Sequence, residues 1–279
     1  MVLEALVSVA FAVGAPVERH ELLGYSVRGR PIRAHELGDP ASDRRVLVVG
    51  CIHGNECAGT AVTRLLARGP LPTDADLWVV HHLNPDGFRL GVRQNARGVD
   101  LNRNFPAGWQ PIGQRWDPTY SGPQPLSEPE SRIARRFILR VQPALTIWFH
   151  QPQTNVRAWN RRDSQAARRY AGLVGLPFRR LPVPPGAATR WQRQRFPESR
   201  AFVVELPPGP MSPRTVTRHA AAIRSLMRSE LAISVPASRI ASSAFSESPG
   251  STSTPRTASS ITVTSNPSFR ASRTLALTQ

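Results

Sequence analysis

Val46-Leu-Val-Val-Gly-Cys-Ile-His-Gly-Asn-Glu56 is an apolar, β-branched run that stops at a glycine and delivers a His-x-x-Glu. The run has the length and composition of a buried strand. Ala58 to Ala67 follows with helical composition, and Gly69 can stop that helix. Residues at such a strand-to-helix turn lie at the carboxyl end of the strand, where open α/β sheets place their ligands. His53 and Glu56, three apart, can face one point there, and Glu56 gains from the helix dipole.

The same alternation recurs outward from this stretch. Leu77 to His81, Ala144 to Phe149 and Ala201 to Glu205 read as further strands. Ser127-Glu-Pro-Glu130 has the spacing of a capping box that opens a helix to about Arg140. Asp163 is expected to cap a helix through Leu173, stopped by Gly175, and Pro213 to about Ala232 reads as the closing helix. Strands alternating with helices predict an α/β sheet covered on both faces.

Three groups then share one end of that sheet: His53 and Glu56 past the first strand, His150 past Ile147-Trp-Phe149, and Glu205 at the end of the last strand. Two imidazoles and a carboxylate fill three positions of a catalytic zinc and leave the fourth open. His81 and His82 are rivals for the distant ligand, but adjacent strand residues point to opposite faces, so only one could contribute. Glu205 in an apolar strand is costly to bury unless paired or functional, and near a metal it could act as a general base. Between these groups, Asn102-Arg103-Asn104 offers a guanidinium fork flanked by amides, suited to a carboxylate. Arg93 or Arg97 could stabilise a developing oxyanion. Asp100 and Gly98 are read as shaping the turn.

Composition bounds the rest. The 279 residues are 40% apolar and 20% charged, enough for a substantial core in one large domain or two small ones. The net charge is +17 and all 36 basic residues are Arg, which a GC-rich coding sequence explains without a nucleic-acid partner. No nucleic-acid module accompanies the charge, so no specific nucleic acid is expected. Cys51 and Cys57 flank the His-x-x-Glu; they are too few for a disulfide scaffold and read as small buried apolar residues, with a bridge or soft metal ligation as the alternatives. Residues 1–22 form a lead segment whose first fifteen are apolar and end in small residues, like a signal remnant, yet carry Glu4 and no basic start. Residues 23–233 form the catalytic body. Residues 234–279 are rich in Ser and Thr and are expected to be disordered. No transmembrane segment is expected, and the compartment stays open between the bacterial cytoplasm and the exported, wall-associated space. Oligomeric state is not read from the sequence.

Taken together, Gly50-Cys-Ile-His-Gly-Asn-Glu56, Leu83-Asn-Pro-Asp-Gly-Phe88, Arg93, Asn95 to Pro106, Phe149-His150 and Val204-Glu205 resemble the zinc carboxypeptidases of the M14 superfamily, and most of all the bacterial branch that includes murein peptide amidases. The resemblance implies a mixed, largely parallel central sheet with helices on both faces and one Zn2+ per chain. It implies His53, Glu56 and His150 as metal ligands and Glu205 as general base. It implies Arg93 as the carbonyl-polarising residue, with Arg97 as the alternative alignment, and Asn102 and Arg103 as the grip on the substrate carboxylate. The implied partner is a small peptide with a free carboxylate, cut at an amide of the γ-D-glutamyl-diaminopimelate type. The mobile Tyr of the digestive members has no counterpart between Tyr170 and Glu205, so the substrate cap is built differently. Two other readings are an N-acyl amino acid deacylase and a noncatalytic binder of anionic wall polymer.

Overall fold

The computed structural model describes residues 15–229. In chain order the elements are β1 (Val17–Tyr25), β2 (Pro31–Gly38), β3 (Arg45–Val49), α1 (Gly59–Ala67), β4 (Asp76–Val80), α2 (Pro85–Leu90), a 3-10 turn (Leu101–Arg103), α3 (Pro129–Val141), β5 (Leu145–His150), β6 (Asn155–Ala158), α4 (Arg161–Val174), β7 (Phe178–Arg180), α5 (Ala188–Arg195), β8 (Arg200–Glu205) and α6 (Pro213–Ser229). The strands form one sheet in the order β1-β2-β4-β3-β5-β8-β6-β7. Pairings β4–β3, β3–β5, β5–β8 and β6–β7 are parallel, and β1–β2, β2–β4 and β8–β6 are antiparallel. The expected mixed, largely parallel sheet is what forms.

Strand alternation divides the core in two. Val46 and Val48, Leu77 and Val79, Ile147 and Phe149, and Phe202 and Val204 face α1, α4 and α6. Leu47 and Val49, Trp78 and Val80, Trp148 and Val203 face α3, α5 and the Leu101–Phe105 segment. The central strands are buried on both faces, which is why their sequences read as unbroken apolar runs. By the same period-two rule, His150 and Glu205 fall on the face of Trp148 and Val203.

Two expected caps differ. Ser127 does not cap α3: its hydroxyl donates to Glu128, and the N-cap residue Glu128 makes no side-chain cap bond. Pro129 opens this helix without an N–H to satisfy, and Glu130 turns inward to accept from the Val27 amide and the Asn95 side chain. At α4 the cap is Asn160, which accepts from the Asp163 amide. Asp163 sits in the first turn and accepts instead from the Ala201 amide of β8.

Cys51 and Cys57 form a disulfide, which corrects their reading as separate packing residues. The turn carrying His53 and Glu56 brings their Cα atoms to 4.7 Å, inside the range a bridge requires. Strand β1 runs through residue 22, so part of the lead segment is a sheet edge. The signal-remnant reading of the first residues and the disordered-tail reading of 234–279 lie outside the described residues. No helix among the described residues is long and apolar enough to cross a membrane.

Candidate metal centre

The parallel register sets His150 of β5 directly beside Glu205 of β8. His53 and Glu56 arrive from the turn after β3, the other neighbour of β5. That turn is held by close packing: a Cβ on Gly54 would lie 1.9 Å from the backbone of Gly87, so only glycine lets the turn settle onto α2. Gly54 thus serves an approach between two backbones as well as a tight bend.

Three ligand atoms meet at this point. His53 Nδ1 lies 2.8 Å from Glu56 Oε2, and His150 Nδ1 lies 3.0 Å from each of them. All three residues are buried. On its far side His53 presents Nε2 to Asp100 Oδ1 at 2.9 Å. Asp100 is fully buried, and the imidazole and guanidinium around it hold its carboxyl well below the usual range despite burial. An ionised carboxylate only accepts, so Nε2 carries the proton and the Nδ1 lone pair turns toward Glu56 and His150. Lone pairs of two imidazoles and a carboxylate converging on one another repel unless a cation or proton lies among them. This donor set, with its outer carboxylate, fits a zinc ion.

The electrostatics follow from the same contacts. Burial opposes charge on Glu56, but the His150 and His53 imidazoles beside it outweigh burial and hold the carboxyl far down. Burial also opposes charge on His53, and Asp100 overcomes it, so that imidazole is raised. At His150 burial prevails and the value falls.

Arg93 spans the two acids, with Nη1 2.5 Å from Glu56 Oε1 and Nη2 2.9 Å from Asp100 Oδ2. Arg103 is 3.9 Å from Asp100 and donates to the Asn102 carbonyl. Asn102 is held by its own amide donating to Asp100 and by its side-chain oxygen accepting from Ala188 at the start of α5. Glu205 Oε1 lies 3.4 Å from Arg157 Nη1, and Oε2 is buried with no hydrogen-bond partner among the described residues.

His53, Glu56, Arg93, Asn102, Arg103, His150 and Glu205 therefore line one cleft, with about 640 Å³ of open space. Its outer wall is Trp159, Leu181, Pro182 and Thr189, together with Arg157 and Val203. Arg97 is not brought into the cleft. Its loop closes around the Asn95 side chain, which accepts from the Arg97 amide, and the guanidinium is half exposed, 3.8 Å from Glu128. The rival histidines lie elsewhere: His81 bonds Thr63, and His82 stacks against Phe88. Sequence reasoning missed Asp100 as the group that orients His53, and Arg157 altogether. Asp100 sat inside a quoted motif and carried that signal; Arg157 carried none among so many arginines.

Residues 16–162 match the family described as zinc carboxypeptidase. The chain is similar to murein peptide amidase A of Escherichia coli K12, 38% identical over 125 residues that cover 40% of this chain and 52% of that protein. It is similar to murein peptide amidase A of Vibrio campbellii, 31% identical over 207 residues that cover 66% of this chain and 78% of that protein. The crystal structure of murein-tripeptide amidase from Escherichia coli O157 overlies it with a TM-score of 0.62 at 30% identity, over 75% of this chain and 91% of that one. The chain thus spans about half the length of the first of these relatives.

Proposed function

Because the chain belongs to the zinc carboxypeptidase family, we propose that it hydrolyses an amide bond next to a free carboxylate in small peptides, of the γ-D-glutamyl-diaminopimelate type found in peptidoglycan. The observation that carries this reading is the cleft itself: a His–Glu–His triad, a carboxylate beside it and the Asn102–Arg103 pair open to the same space. The names of the three similar proteins, all of them murein amidases, support the substrate class.

His53, Glu56 and His150 would hold the zinc. When bound, zinc supplies electrophilic polarisation of a carbonyl and acidification of water. The chain's own groups do the rest. Glu205 takes the proton of the attacking water on its unpartnered Oε2 and passes it to the departing amine. Arg93, anchored on Asp100, offers N–H groups to the carbonyl oxygen as negative charge develops. Asn102 and Arg103 hold the carboxylate beyond the cut and so set which bond is presented. The buried Asp100 keeps His53 in one tautomer and orientation.

The test is to incubate zinc-loaded protein with muropeptides and with ordinary peptides, then identify products by mass. Release of diaminopimelate-bearing fragments supports the amidase reading. Release of ordinary C-terminal residues alone would redirect it to a general carboxypeptidase, and no cleavage of either would sink it.

A further inference from the structure

Arg157 lies on β6, which pairs antiparallel with β8 so that Arg157 opposes Val203 and Asn155 opposes Glu205. Val203 and Glu205 share a strand face, so the register turns Arg157 onto the cleft side, away from Val156 and Ala158 in the opposite core. Its side chain is 21% exposed and lines the cleft. Nε donates to Asn155 at 3.0 Å and Nη1 stands 3.4 Å from Glu205. Nη2 makes no hydrogen bond to a described residue. The guanidinium is thus held at Nε and Nη1, and Nη2 is left to offer.

The other cationic groups in the cleft are differently placed. Arg93 and Arg103 both lean on Asp100, on the side of the 3-10 turn. Arg157 stands on the far strand, among Trp159, Leu181 and Val203. A side chain entering that region meets apolar walls along its length and a guanidinium beside them. An uncharged end would leave Nη2 facing apolar groups without an acceptor, whereas a carboxylate could take charge-assisted hydrogen bonds from it.

We propose that Arg157 is a specificity-determining residue that reads a second carboxylate, carried at the end of an aliphatic side chain by the residue whose first carboxylate is held by Asn102 and Arg103. This rests on the amide-hydrolase reading for the orientation of the substrate, but its test separates the two. Free meso-diaminopimelate and lysine share one stem and differ by one carboxylate at its end. Binding of each to the zinc-loaded protein is measured by calorimetry. The wild type is expected to hold diaminopimelate about tenfold to a hundredfold tighter, the range of a charge-assisted hydrogen bond. In Arg157→Met the two affinities should fall within about threefold of each other, and Arg157→Lys should keep part of the preference. Turnover of L-Ala-γ-D-Glu-X, with X either residue, should show the same collapse in the ratio of kcat/KM.

Equal affinities in the wild type, or a preference that survives in Arg157→Met, would overturn the assignment. So would an equal loss on both substrates with the ratio intact, which would make Arg157 a brace for Glu205. Selective binding without cleavage of either substrate would overturn the hydrolase reading and leave Arg157 as the acid-reading group.

Discussion

Asp100 binds His53, Arg93 and the Asn102 amide at once, from a fully buried position. Its replacement by Asn keeps the shape and removes the charge that orients His53. Asp100→Asn is therefore expected to weaken zinc affinity about tenfold to a hundredfold, read by competition with a chelator; unchanged affinity would remove Asp100 from the site. Glu205→Gln should retain zinc by elemental analysis and lose turnover by at least about a hundredfold. Full activity in that variant would end its assignment as base. At this scale the residues that meet in the cleft were legible because His53, Glu56, His150 and Glu205 fall at strand ends or on the turn just past one, where polar residues interrupt an apolar run. Arginine was not legible in the same way. With 36 Arg in the chain, Arg97 and Arg157 look alike in sequence, and only the register of β6 on β8 and the closure of the Asn95 loop distinguish them.

Between elements, α4 and α6 meet through Tyr170 and His219, both buried, with the Tyr170 hydroxyl 2.6 Å from His219 Nδ1. Burial and the neighbouring Arg218 lower the His219 value to about 4. In the unfolded chain His219 titrates near its ordinary 6.5, so above that pH it is neutral in both states. As pH falls from about 6.5 towards 4, the unfolded state takes the proton first and stability is lost. The loss attributable to this one group is on the order of 3 kcal/mol. Asp76 and Asp163, each pushed up to about 6 by burial, act with the opposite sign as pH rises from about 4 to 6. Comparing urea unfolding of the wild type with His219→Gln across pH 4–7 cancels their part; the wild-type curve should fall more steeply towards acid. Parallel curves would show that His219 carries none of this dependence. The cores of α1, α3, α4 and α6 and of β3, β4, β5 and β8 were read correctly from periodicity because their apolar faces are continuous, while the shorter α2, α5, β6 and β7 were not read. The hairpin of β1 and β2 was not, since β1 is an edge strand whose polar residues face solvent on both sides. The α3 and α4 caps were misassigned because several cap-competent residues adjoin each helix start, and the choice between them lies in contacts to Asn104, Val27 and β8.

For the whole molecule, zinc binding couples to stability. A ligand held by the native state and not by the unfolded chain stabilises by about 4 kcal/mol at a thousandfold excess over its Kd. Stripping the metal with a chelator should lower the melting temperature, and adding zinc should restore it in proportion to the logarithm of its concentration. A melting temperature indifferent to zinc would count against a native-state site.

The two facing imidazoles of that site come from residues separated by 97 positions, one on the turn after β3 and one at the end of β5, with three α-helices and a strand between them in the chain. Neither imidazole is any use to a metal until β3 and β5 lie side by side. Loop closure over that span is slow relative to local helix formation. The metal is therefore a latecomer to folding, not its nucleus. In a stopped-flow refolding experiment, loss of a zinc-sensitive dye signal should lag behind the recovery of far-ultraviolet ellipticity, and the length of that lag would time the moment at which the middle of the sheet closes.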